Sequence, residues 1–186
     1  MLPSNPLVLS SASADGAALS NTLTATSILP ASALATIPAG ALQIGSLVKV
    51  SLRGRISTVV TTPGTLTFDL RFGSVIVSAF GAMALNTTAQ TNAQFEAELW
   101  AVIRAIGTGT TANALCTGRF TSRAVIGAGA AGVTGAGVLM LPDTAPAVGT
   151  GFDSSAAQPI NVFGTWSVAN AANSVQIHQA LVEFKV

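Results

Sequence analysis

Residues 48–57 read VKVSLRGRIS, and residues 65–72 read TLTFDLRF. In the first stretch Val48, Val50, Leu52 and Ile56 fall on one side of an extended chain. Lys49, Ser51, Arg53 and Arg55 fall on the other. In the second, Leu66, Phe68, Leu70 and Phe72 alternate with Thr65, Thr67, Asp69 and Arg71. A period of two predicts strands with one face buried and one face towards water. Between them, Thr62, Pro63 and Gly64 predict a turn, because proline presets φ and glycine accepts the positive φ that follows. Gly73 and Ser74 then read as a tight hairpin into a shorter strand over 75–80.

Working outward, the run AQFEAELWAVIRAI (93–106) decides whether the chain contains a helix. Its Ala, Glu and Leu residues favour helix. A helix, however, would put Glu96 and Trp100 on one face with Ile103. An extended chain separates Phe95, Ala97, Leu99, Ala101, Ile103 and Ala105 from Glu96, Glu98, Trp100, Val102 and Arg104, which sorts charged from apolar positions better, so a strand is predicted. Further strands are expected over 22–28, 112–126, 159–169 and 174–186. In the last, the apolar phase slips between Ile177 and Ala180, which predicts a β-bulge near Gln179. Residues 81–92 read as a polar loop. The stretch AVIGAGAAGVTGAGVLML (124–141) reads as a glycine-alanine loop leading into a short strand. About eight strands and no convincing helix predict an all-β, jelly-roll-like antiparallel sandwich.

Residues 1–20 hold Pro3, Pro6, a serine-rich run and Asp15–Gly16. They read as a flexible or extended N-terminal arm, with a single sandwich domain over 21–186. The opening residues lack a basic segment and a long apolar run, so no signal peptide is predicted. The glycine content of 124–141 argues against a membrane span, and no membrane partner is expected.

Composition points to assembly. Only 8% of the residues are charged and 49% are hydrophobic, with a mean hydropathy of +0.61 and a formal net charge of +1. Ordinary soluble domains carry about 25% charged residues. Interface cores are depleted of charge, so a surface this poor in charge suits a protein covered by neighbours. The near-neutral balance gives no basis for binding nucleic acid.

The residues offer little for catalysis. His178 is the one histidine and Cys116 the one cysteine. No G-x-S-x-G elbow, phosphate loop or zinc spacing is present. Glu96 and Glu98 point to one side of a strand, where pairing with Arg53, Arg55 or Arg71 is the simpler reading than a glycosidase pair. No catalytic, cofactor or metal residue is assigned, and the protein is expected not to be an enzyme. Trp100 lies on the polar side of its strand. Tryptophan and arginine dominate interface hot spots. Candidate assembly residues are therefore Leu7 and Leu9 of the arm with Arg53, Arg55, Trp100 and Arg104.

The stretches GRISTVVTTPGTLTFDLRFG (54–73), ALNTTAQTN (84–92), GRFTS (118–122) and SVANAANSVQIHQ (167–179) together resemble head structural proteins of tailed bacteriophages, over residues 45–186. The resemblance implies a jelly-roll or sandwich domain that decorates or cements the capsid, commonly as a homotrimer. It places the protein on the virion, at the capsid surface, with itself and the major capsid protein as partners. Similar domains in tail fibres, spikes and head fibres supply the alternative of receptor binding. The shared motifs are turns and strands, so no functional residue carries over.

Overall fold

A computed structural model describes residues 6–59, 61–128, 137–142, 145 and 148–186. Among the described residues thirteen strands form two antiparallel sheets packed as a sandwich. The larger sheet runs β1 (Leu7–Ser11), β13 (Ser174–Lys185), β5 (Leu47–Thr58), β8 (Gln90–Ala105), β9 (Asn113–Ser122) and β11 (Val138–Leu141), with β2 (Leu19–Ser20) also on β13. The smaller sheet runs β10 (Val125–Ala128), β7 (Val75–Leu85), β6 (Thr65–Phe72), β12 (Gln158–Trp166) and β3 (Thr26–Ser27), with β4 (Ala35–Ile37) also on β12.

The pairings nest. Strand β5 pairs with β13, β6 with β12, β7 with β10 and β8 with β9, all antiparallel. This is a long ribbon folded over on itself, the jelly-roll-like arrangement expected from the alternation. Each sheet takes two of these pairs and joins them side by side, through β5–β8 in the larger sheet and β6–β7 in the smaller.

The alternating residues make the core. Val48, Val50, Leu52 and Ile56 are fully buried, as are Leu66, Phe68 and Leu70 opposite. Phe68 of the smaller sheet meets Phe120 edge-on at 5.7 Å and Phe95 at 6.3 Å, while Phe95 and Phe120 stack at 5.2 Å. Aromatic pairs in these geometries each contribute about 1 kcal/mol beyond their burial. Trp166, also buried, donates from Nε1 to the Leu19 carbonyl at 3.1 Å. Gly54 occupies an inward position where a Cβ would lie 2.0 Å from the Gln176 carbonyl oxygen. Its missing side chain lets β5 and β13 approach while Phe95 fills the space beside it.

Seven of the eight expected strands are long ones, and 93–106 is a strand, part of β8. The bulge is present: the β13–β5 register shifts between Ile177 and Gln179. Three expectations are corrected. The run 22–28 forms strand only at Thr26–Ser27. Asn21 takes φ 49°, the Thr24 amide donates to Thr22 Oγ1, and the Thr26 hydroxyl donates to the Thr24 carbonyl. Hydroxyls that bond their own backbone compete with ladder formation. Residues 81–85, read as loop, continue β7 because Met83 and Leu85 reach the core. The run 112–126 is divided at Arg123 and Ala124, where the chain crosses from β9 to β10 in the other sheet.

The stretch read as an arm is built into the sheet from Leu7 onward. Strand β1 pairs with residues Leu181–Phe184, and Leu19–Ser20 pairs with the start of β13. Leu9 and Ala12 pack on the core, and the Ser10 hydroxyl donates to the Ala33 carbonyl at 2.7 Å. Residues 1–5 and the glycine-alanine stretch 129–136 lie outside the described residues.

Candidate functional site

The outward face of the larger sheet gathers most of the sequence-predicted residues. Lys49 and Arg53 of β5 stand opposite Trp100 and Glu96 of β8. Arg53 Nη2 lies 2.7 Å from Glu96 Oε1. Glu98 takes Lys49 at 2.9 Å and Arg119 at 3.5 Å, and Lys49 also reaches Glu183 at 4.0 Å. Of the expected partners Arg53 does pair with Glu96, while Arg55 and Arg71 pair with neither glutamate and Glu98 takes Lys49 and Arg119 instead. Alternation in strands β5, β8, β9 and β13 sets these residues side by side on one face.

Trp100 is half-buried between Lys49 and Thr117. One row further along, Val102 stands between Leu47 and Leu115, and Leu115 bridges to the exposed Val148. A short apolar band thus crosses the face beside the tryptophan. Arg104 is exposed beyond it, at the end of β8. Arg55 lies at the opposite end, donating to the Asn92 carbonyl at 3.2 Å. There an open cleft of about 630 Å³ is lined by Arg55, Gln94, Glu96, Thr121, Arg123 and Val138. Leu7 is exposed on the outermost strand, whereas Leu9 of the same strand packs on the core. The six candidates therefore divide between one face and one edge, and form no single cluster.

Cys116 and His178 are kept apart. Cys116 is buried on the inward side of β9, its Sγ 3.7 Å from the Val77 carbonyl oxygen. Burial pushes its thiol up to about 12. His178 sits on β13, three strands away in the sheet and six residues along from the row of Cys116, which puts the two more than about 20 Å apart. Its Nδ1 lies 3.0 Å from Asp15 Oδ2. Among the described residues no group of three or more His, Cys, Asp or Glu is placed to hold a metal ion. No described helix is long and apolar enough to cross a membrane.

One arrangement was not visible in the alternation. On the outward face of the smaller sheet, Arg71 Nη2 lies 3.2 Å from Asp69 Oδ2, and its guanidinium carbon lies 3.8 Å from the centre of the Phe163 ring. Asp69 is only 8% exposed, although its side chain points away from the core. Its neighbours across the strands are Phe163 and Ala79. The sequence signal was the aspartate and arginine two apart in TLTFDLRF, which resembled any solvated strand face.

No family model and no curated protein matches the chain. Among solved structures, it is similar to a protein of unknown function from Shewanella oneidensis MR-1, with 13% identity and a TM-score of 0.39 over 98% of this chain and 79% of that one. It is also similar to the CBM2 module of the evolved Dit protein of Lactobacillus casei BL23 phage J-1, with 12% identity and a TM-score of 0.32 over 82% of this chain and 68% of that one.

Proposed function

We propose that this chain is a structural protein of a tailed-phage virion that binds the outside of an assembled capsid, forms a homotrimer, and holds neighbouring capsid subunits together without catalysing a reaction. The observation that carries the reading is the edge strand β1. It reads LVLSS, with no charge and no proline inside it, and Leu7 and Val8 are 59% and 53% exposed. Isolated proteins blunt such edges with lysine, proline or a cover. An uncharged edge is instead suited to receive a strand from a neighbour. The charge-poor composition and the likeness to phage head proteins in four stretches of sequence support the same reading.

The mechanism is linkage. A protein that binds only the assembled shell stabilises it by mass action, and more so as its concentration exceeds its dissociation constant. The arm-derived strand β1 and the Trp100 face would contact the major capsid protein. The test is co-sedimentation of the purified chain with mature phage capsids lacking decoration, followed by cryo-electron microscopy. Density on the capsid exterior is expected, and Val8→Lys should weaken it. Binding to host cells with no binding to capsids would replace this reading with receptor binding by a fibre or spike.

A further inference from the structure

The two outward faces of the sandwich differ sharply in charge. The strands of the larger sheet carry Lys49, Arg53, Glu98, Arg119 and Glu183 among others. The six strands of the smaller sheet carry two charged residues, Asp69 and Arg71, and these neutralise one another. Around that couple the register sets three rows, although the β6–β7 pairing shifts between Thr67 and Asp69 and again between Leu70 and Arg71. Phe163, Asp69 and Ala79 form one row across β12, β6 and β7. Asn161, Arg71 and Ile76 form the next, and Thr165, Thr67 and Ala82 the row on the other side. Ile76 and Ala79 are exposed, and Phe163, Thr67 and Thr165 are half-buried. Among the described residues no strand or helix packs over these rows, and Pro142, Ala145 and Thr150 line a pocket beside Ile76 and Ala79 at the β7 end.

We infer that this face binds a second copy of the same chain, with the Asp69–Arg71–Phe163 cluster at the centre of the contact. Charge depletion at the centre, with an aromatic and an arginine as anchors, is the make-up of a protein interface core. Five strands at about 4.8 Å spacing and eight residues of β6 at about 3.3 Å give a flat area of about 600 Å² before side-chain relief. A standard interface buries about 600–1,000 Å² on each partner, so the face reaches the lower end of that range. The central couple has no net charge and presents both signs together. A charge-poor surface of another copy therefore meets it without like-charge repulsion, in the heterologous contact that a closed trimer requires, whereas a nucleic acid or an acidic partner would not match it. Among the described residues the buried Arg71 Nε–H has no acceptor.

This inference rests on the self-association within the proposed function and specifies its surface. It is tested by size-exclusion chromatography with multi-angle light scattering on the full chain at micromolar concentrations. Three proteins are compared: the unaltered chain, Ala79→Glu on the smaller sheet, and Trp100→Glu on the larger. Far-UV circular dichroism and a thermal melt establish that each variant is folded. Thr165→Lys serves as a second smaller-sheet variant should Ala79→Glu melt early. The unaltered chain is expected to be oligomeric. Both smaller-sheet charges should raise the dissociation constant by more than about tenfold, because each buries an unpaired charge at the contact. Trp100→Glu should leave the oligomer intact. A monomeric unaltered chain would overturn self-association itself. An oligomer that survives both smaller-sheet variants, or is dissolved by Trp100→Glu alone, would overturn this surface and leave self-association standing.

Discussion

Asn173 Oδ1 accepts a hydrogen bond from the Val59 amide at 2.9 Å, which ties the turn before β13 to the residue that follows β5. The same side chain donates from Nδ2 to the Pro63 carbonyl at 2.9 Å, and Asn173 is fully buried. One amide thus satisfies two backbone groups that have little access to water. Asn173→Ala leaves both without that partner and is expected to cost about 3 kcal/mol of stability. Urea denaturation of the two proteins checks this through a lower midpoint at an unchanged slope.

Glycine is required at position 54 for space, not for backbone conformation. A Cβ there would meet the Gln176 carbonyl oxygen and Phe95 Cε1, the latter at 2.8 Å. Gly54→Ala should therefore cost more than about 2 kcal/mol through overpacking. Gly81 offers the opposite control, since its φ is +82° and nothing stands within 4 Å of a Cβ. There the cost is backbone strain alone, about 1 kcal/mol. Thermal melts that rank Gly81→Ala as the more damaging change would contradict this account.

The thiol of Cys116 makes stability depend on alkaline pH. Its pKa rises from the ordinary value of 9.0 to about 12 because burial disfavours the thiolate. The folded protein therefore keeps this proton over a range where the unfolded chain releases it. The contribution is fully present below pH 9 and is lost as pH rises towards 12. Denaturation free energies measured from pH 8 to 11 should fall, and the fall should be smaller in Cys116→Ala. At pH 8 a thiol reagent should label the folded protein far more slowly than the protein in guanidinium.

The ion pairs on the larger sheet contribute little to stability. The side chains of Arg53 and Glu96 are 59% and 43% exposed, so water and salt screen their contact. Glu96→Gln should change stability by less than about 1 kcal/mol, and that difference should shrink in 0.5 M salt, where screening lengths are about 4 Å. Glu98→Gln should cost more, because Glu98 faces both Lys49 and Arg119. A double-mutant cycle of Glu98 with Lys49 measures the coupling directly.

Alternation revealed the long strands because residues such as Val48, Leu52 and Phe68 contrast strongly with their polar neighbours. It failed over 81–85, where Gly81, Ala82 and Ala84 present small, nearly neutral side chains on the outward face. With no polar contrast, Met83 and Leu85 do not read as the inner half of a strand. The first twenty residues were legible only as a flexible or extended segment, for a different reason. What orders Leu7–Ser11 is the free edge of β13, more than 160 residues along the chain. Nothing local in the segment records that partner.

The same limit applies to the assembly surfaces. Arg53 and Arg71 occupy equivalent places in their strands, and alternation treats them alike. The fold sends one to the charge-rich sheet and the other to the charge-poor sheet. Which strand joins which sheet is a long-range property, so the difference between the two faces emerges only from the topology. The candidate residues Trp100, Arg53 and Arg55 were legible as an outward row, while Asp69, Arg71 and Phe163 required the register of three strands.

The nested pairing also dictates when the molecule can be finished. Strand β5 is held between β8 and β13, and Val50 lies opposite Val182 across more than 130 residues. While a ribosome is still adding residues before 174, one whole side of β5 has no neighbour and its backbone groups face water or any other strand within reach. Hairpins such as β6–β7 and β8–β9 can close early, but the sandwich cannot. Folding should therefore be slow and late, with most contacts made only after synthesis of β13. Premature termination before Ser174 would release a chain in which the twelve-residue strand β5 is an unpaired edge and β1 has no partner, and such fragments are expected to aggregate.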